Sequence, residues 1–261
     1  MREMTLEERK ALSLEILKHF KSVCEKNNIR YFLAYGTLLG CVRHAGFIPW
    51  DDDVDVWVPL NDFIKLMYIL KDDKKYELLD FTKGEKWKGY FSKLSDRSTI
   101  VLTDNCTNQI KRGISLDIFP LYNFDPSNKK NKKIETKINS IKILSNYYNK
   151  QYKSIPKRLY CFFMSKFFWN YSKIIKSVCK LNNEIQSIYY STYGSIYSER
   201  DIHSATSFSE TILMKFQDDF FNVPIGYDQI LNSIYGDYKK MPPISEQKTN
   251  HKVKAYYLDE K

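Results

Sequence analysis

Four of the five residues from Asp51 to Asp55 are aspartates, and the chain then alternates through Val54, Val56 and Val58 before Pro59. Successive side chains of a strand point to opposite faces. The pattern therefore predicts a strand over Val54–Val58, with valines on one face and Asp51, Asp53 and Asp55 emerging together on the other. Burying the valines brings the acids beside a core, where a carboxylate is costly unless it is paired or metal-bound. An EF-hand loop is excluded: Val56 stands where that loop needs glycine, and Asp62 where it needs glutamate.

A further acid, Asp117, lies inside the apolar run SLDIFPL. Two carboxylates on one strand face and a third on a neighbouring strand can hold one or two Mg²⁺ ions through hard oxygen ligands, with Mn²⁺ able to substitute. Two such ions would clamp the attacking and leaving oxygens of a phosphoryl transfer. Upstream, Gly36-Thr37 follows a short apolar stretch and opens a helix, where backbone N–H groups can approach a phosphate. Taken singly, each feature has a plainer reading: a solvated acidic loop, a turn glycine, or the DxD of a sugar-nucleotide glycosyltransferase.

The surrounding pattern is that of an α+β chain with a mixed sheet. Thr5 and Glu8 form a capping box ahead of Leu12, Ile16, Phe20 and Val23, which predicts an amphipathic helix over 5–28. Tyr31–Ala34 reads as a strand and Asn61 as the cap of a helix over 62–71. Strand-like pieces follow at 77–81, 89–94, 99–103 and 114–119. Beyond Pro126 the composition shifts to Lys, Asn, Ile, Tyr and Phe, which predicts helices broken near Pro156. Residues 221–236 read as a strand entering a short helix. These shifts divide the chain into a catalytic core (1–126), a helical insertion (127–215) and a C-terminal segment that packs back on the core (216–261).

The stretch GTLLGCVRHAGFIPWDDDVDV resembles the signature of the LicD family of phosphotransferases, related to the fukutin-type proteins. SLDIFPL and YDQILNSIYGDYKKMPP are similar to that family's later blocks. The resemblance covers roughly residues 5–120 and 220–251. It implies a nucleotidyltransferase fold and Mg²⁺-dependent transfer of a phospho-substituent from a CDP-linked donor, such as CDP-choline, to a glycan or lipid-linked glycan hydroxyl. It carries over Asp53, Asp55 and Asp117 as metal ligands and catalytic residues, Asp51 or Asp52 as an additional ligand, and Gly36-Thr37 as phosphate contacts. Lys93 and Arg97 fall near the same site in the family pattern, as candidates to neutralise the diphosphate. Arg43 suits bidentate phosphate contact, against the alternative of a surface charge at a helix end. His44 also precedes the metal strand within reach of donor phosphate, against the alternative of a structural histidine; His251 carries no role that the residues define. A choline headgroup would call for an aromatic cage, for which Trp50, Trp57, Tyr90 and the many other tyrosines are candidates without a fixed location.

The charge is regional. Fourteen Lys/Arg stand against one acid between Lys129 and Lys180, a net of +13 in a chain of net +10. No nucleic-acid motif accompanies it, so nucleic acid is not an expected partner. Its mixture of basic and aromatic residues, as in LYCFFMSKFFWNY, fits either a solvated helical face or peripheral contact with an anionic membrane. Five widely spaced cysteines without C-x-x-C, and a charged N-terminus without an apolar run, fit a cytoplasmic protein.

Overall fold

The computed structural model describes residues 1–83, 87, 89–103, 112–149, 156, 159–160, 163, 171–185, 188–192, 195–248 and 253–258. Helix α1 (Leu6–Lys26) starts where the sequence says: Thr5 accepts from the Glu8 N–H, and Glu8 accepts from the Thr5 N–H at 2.9 Å. Strands β2 (Phe32–Leu33) and β3 (Val54–Pro59) flank α2 (Tyr35–His44). The helix α3 (Leu60–Leu70) follows Pro59 directly, so Pro59 rather than Asn61 stands at its N-cap. Proline fits there, because its fixed φ leads into the helix and no donor is lost from the first turn.

The main sheet continues with β4 (Glu77–Leu79), β5 (Ser92–Ser95) and β7 (Ser115–Phe124), and its strand order is β2-β3-β7-β5-β4. The β3–β7 pair is parallel and the others along this path are antiparallel, so the sheet is mixed as expected. Val54, Val56 and Val58 on β3 and Leu116 and Ile118 on β7 are fully buried, and α1 and α3 pack on these two strands. The opposite faces of β3 and β7 carry the acids.

Two departures from the sequence reading shape the site. First, the segment 127–215 is not helical throughout. Helices α4 (Lys129–Asn149) and α5 (Tyr171–Asn183) pack together through Ile134, Ile138, Ile175 and Val178, and α5 rests on β7. The chain then returns as β8 (Tyr189–Ser191) and β9 (Ile202–Ser204), with β8 pairing to the end of β7. Second, the C-terminal strand β12 (Val253–Tyr257) pairs between β1 (Arg2–Glu3) and β6 (Thr99–Thr103), joining both chain ends. The hairpin β10 (Thr211–Phe216) and β11 (Asp219–Pro224) leads into α6 (Tyr227–Tyr235). No helix among the described residues is long and apolar enough to cross a membrane.

Candidate active site

Strand register assembles the charged centre. Asp55 on β3 lies directly opposite Asp117 on β7, and Asp117 lies opposite Lys93 on β5. Three neighbouring strands thus place acid, acid and base in one row. The Lys93 ammonium donates to an Asp117 oxygen, and Lys93 is buried to 7% exposure. The loop before β3 adds Asp51 and Asp53 on the same side, while the Asp52 carboxylate accepts from Arg9 on α1 and lines a smaller pocket shared with Asp53 and Asp117.

The centre opens into a cleft of about 400 Å³, to which Gly36, Trp50, Asp51, Asp53, Asp55, Asp117 and several aromatic rings contribute walls. A smaller pocket of about 110 Å³ approaches Asp53 and Asp117 from beside Lys93 and Arg112. Burial pushes the Asp55 carboxyl well above the usual range, with repulsion from Asp53, Asp117 and Asp51 adding to it. Burial likewise raises Asp117, against the opposing pull of Lys93. The same burial lowers Lys93, and the Asp117 charge opposes that. A hard divalent cation suits such a donor set, since it relieves carboxylates that repel one another and lack water. Among the described residues no group of three or more His, Cys, Asp or Glu side chains is placed to hold a metal ion; the Lys93 ammonium supplies the positive charge on Asp117.

Local backbone explains how α2 serves the site. Tyr35, the first residue of α2, has φ +44°, a left-handed conformation that costs a side-chain-bearing residue about 1–2 kcal/mol. The Tyr35 hydroxyl donates to the fully buried Asp201 at 2.7 Å, and the other Asp201 oxygen meets the His203 ring at 3.1 Å. Gly36 matters for approach rather than for φ: a methyl there would lie 2.8 Å from an Asp51 side-chain oxygen, so the Asp51 carboxylate would have to shift. Thr37 is buried, and its hydroxyl accepts the backbone N–H of Asp55 at 2.8 Å. That bond makes it a support of β3.

Other predicted residues sit apart from the cleft. Arg43 donates to the Tyr238 carbonyl at 3.2 Å and to the His44 ring at 3.1 Å, facing the C-terminal segment. Arg97 donates to the Tyr76 carbonyl at 2.9 Å. Trp57 is fully buried beneath Tyr35, so only Trp50 and Tyr90 of the three candidate cage residues line the cleft. His251 lies outside the described residues.

A family model described as the LicD/FKTN/FKRP nucleotidyltransferase domain matches residues 28–159. The lipopolysaccharide cholinephosphotransferase LicD of Haemophilus influenzae is 31% identical over 99% of this chain and 100% of its own length. The chain belongs to the LicD family. It is a transferase by that membership. A shorter likeness runs to the human ribitol 5-phosphate transferase FKRP, 44% identical over 48 residues, which are 18% of this chain and 10% of that protein. An uncharacterised Rickettsia prowazekii protein is 45% identical over 75 residues, 28% of this chain and 27% of its own.

In this LicD-family chain the sequence reading missed one wall of the cleft. Ser195, Ile196 and Tyr197 come from the β8–β9 return, where no local motif marks them, and Tyr235 comes from α6, inside the block YDQILNSIYGDYKKMPP, to which no site role was given. Phe91 and Phe119 were within reach of the pattern, since each lies two residues from a charged member of the row and so shares its face.

Proposed function

We propose that this cleft transfers phosphocholine from CDP-choline to a hydroxyl of a cell-surface glycan, releasing CMP, with Mg²⁺ or Mn²⁺ held by Asp53, Asp55 and Asp117 and with Asp51 as a further ligand. The observation that carries the reading is the Asp55–Asp117 register pair at the floor of an aromatic-walled cleft. The relatives' names, a cholinephosphotransferase and a ribitol 5-phosphate transferase, support it. The name of the first also supports lipopolysaccharide-type glycan as the acceptor class.

When bound, the cation would neutralise the donor diphosphate and polarise the phosphoryl oxygens. The chain's own residues do the rest. The start of α2 at Gly36 offers backbone N–H groups to a donor phosphate. Lys93 and Arg112, beside the smaller pocket, add positive charge where CMP departs. Asp117 takes the acceptor hydroxyl's proton while Lys93 fixes its orientation. Rings around the acids exclude water, which strengthens each of these interactions. Positioning and charge neutralisation supply most of the rate.

The purified protein, given CDP-choline, Mg²⁺ and a glycan acceptor, should release CMP and leave a phosphodiester on the glycan. Release of CDP from a sugar nucleotide, with bare sugar transferred, would make a DxD glycosyltransferase the correct reading. No turnover with either donor would favour a non-catalytic scaffold of a glycan-assembly complex. The site of action we assign is the inner face of the cell membrane, supported by the basic segment 129–180 and by exposed Leu159, Tyr160 and Phe163.

A further inference from the structure

The register that aligns the charges also aligns rings. Two residues along the strands from Asp55 and Asp117 stand Trp57 and Phe119, and two residues before Lys93, just outside β5, stands Phe91. Being two positions away, they project from the same face as the charges. Trp57 is covered by Tyr35, with ring centroids 4.8 Å apart. The rings lining the cleft then form a continuous arc: Tyr90 to Phe91 at 5.0 Å, Phe91 to Phe119 at 4.5 Å, Phe119 to Tyr35 at 5.2 Å, Tyr35 to Tyr197 at 5.5 Å, and Tyr197 to Tyr235 at 5.5 Å.

We infer that this arc, centred on Phe119, is the seat of the donor's quaternary ammonium and sets the enzyme's choice of headgroup. The inference rests on the phosphotransfer reading above. Its first support is distance. Two strand residues separate the ring row from the charge row by roughly 7 Å along the strand. The four bonds from phosphorus to nitrogen in phosphocholine span roughly 5 Å, since three backbone bonds already cover 3.8 Å. A phosphate held at the charge row therefore brings the trimethylammonium group against the rings.

The second support is chemistry. A polyol such as glycerol or ribitol needs hydrogen-bond partners, and Phe91 and Phe119 have none. Two of the arc's four tyrosine hydroxyls donate within the protein: Tyr35 to Asp201 at 2.7 Å, and Tyr197 to the Tyr235 hydroxyl at 3.2 Å. What the arc presents is ring surface, which attracts a cation that does not hydrogen-bond. The rings already draw cations: the Lys93 ammonium lies 4.9 Å from the Phe91 centroid, and the Arg200 guanidinium 5.6 Å from that of Tyr197. With those two rings so engaged, Phe119 is the ring to test.

The test compares CDP-choline with its uncharged carbon isostere, CDP-3,3-dimethylbutanol, alongside CDP-glycerol and CDP-ribitol. CMP release and binding of free phosphocholine are both measured. In the wild type, kcat/KM for CDP-choline should exceed that for the isostere about tenfold. Phe119→Leu should bring the two within about twofold, mainly through KM for CDP-choline, while Phe119→Tyr should retain the preference. The wild-type ratio needs no variant to fold, and a ratio near one overturns the inference. Preferred turnover of CDP-glycerol or CDP-ribitol also overturns it, while leaving phosphotransfer intact. Phosphocholine binding that Phe119→Leu abolishes, with no CDP donor consumed, would sink the phosphotransfer reading and leave the seat standing.

Discussion

The Thr37 hydroxyl and the Asp55 backbone, eighteen residues apart, are joined by a 2.8 Å hydrogen bond that ties the first turn of α2 to the acidic strand. Thr37 is buried, so its loss would leave the Asp55 N–H without a partner in a dry place. Leaving such a donor unsatisfied costs about 1–3 kcal/mol. Thr37→Val should lower the midpoint of thermal unfolding and reduce kcat, and Thr37→Ser should restore both. A valine variant with unchanged stability and activity would show that the bond does not hold the strand in place.

The Asp55–Asp117 pair makes a prediction in which stability and activity move oppositely. The Asp55 carboxyl is raised by burial and by its acidic neighbours. Such a group favours the folded state while protonated, so its contribution is present below the unfolded-state pKa and is lost as pH rises towards the folded one. At neutral pH, with EDTA present, Asp55→Asn should therefore raise the melting temperature by a few degrees. The same variant should lose at least about a hundredfold in turnover, a loss on the scale of one removed electrostatic contact. Added Mg²⁺ should stabilise the wild type and leave the variant unmoved. A variant that melts lower without metal would contradict the electrostatic account.

What the sequence disclosed, and what it hid, follows from how far apart in the chain the determinants lie. Asp51, Asp53 and Asp55 were legible because a period of two is local, and α1 because Thr5, Glu8 and its apolar stripe are local too. The meeting of Asp117 with Asp55 and Lys93 depends on register among three strands; the residues alone offer an acid in an apolar run, and the family resemblance supplied the grouping. Thr37 came to phosphate through the resemblance and Arg43 through its residue type, and neither reading offers the Asp55 N–H and Tyr238 carbonyl that they meet eighteen and 195 residues away. The Ser195–Tyr197 wall was obscured for a different reason. The lysine-rich composition before it suggested more helix, and the pairing of β8 with the end of β7 is a non-local event.

Glu8 carries a prediction about pH. Its hydrogen bonds from Arg2 and from the Thr5 backbone lower its pKa to about 2. A depressed carboxylate contributes stability above its unfolded pKa and loses that contribution as pH falls through the folded value. The cap of α1 should therefore weaken from about pH 4.5 downwards towards pH 2. Because Glu8 faces solvent, the effect should be small and should shrink at high salt. Comparing acid unfolding of the wild type with Glu8→Gln checks this: the variant should lose that part of the pH dependence.

The basic segment should make the protein's attachment to anionic vesicles salt-sensitive. Each basic residue near a charged lipid surface is worth about 1 kcal/mol, and the attraction fades within a Debye length. Replacing Lys153, Lys157 and Arg158, which lie outside the described residues, with glutamine should weaken sedimentation with phosphatidylserine vesicles. CDP-choline affinity should stay the same, because the cleft has its own cations. Absence of vesicle binding at low salt would return the segment to a solvated face or an acceptor groove.

The pair Arg9–Asp52 makes α1 part of the site's scaffold. Asp52 sits between two cleft-lining acids and lines the smaller pocket with Asp53; its carboxylate accepts from Arg9 while Ser13 donates to its carbonyl at 3.4 Å. The two side chains are 15% and 7% exposed. Removing one partner would strand a largely buried charge, which costs about 3–5 kcal/mol in a fully buried pair and less here. Arg9→Met alone, and Asp52→Leu alone, should each destabilise by about 2 kcal/mol or more. The double variant should recover much of that loss, since two apolar groups leave no charge unpaired. Activity should not recover with stability. The ion pair fixes how the loop runs, and with it whether Asp51 and Asp53 face the cleft. Full activity in the stable double variant would show that the strand alone orients those acids, and that α1 contributes only packing.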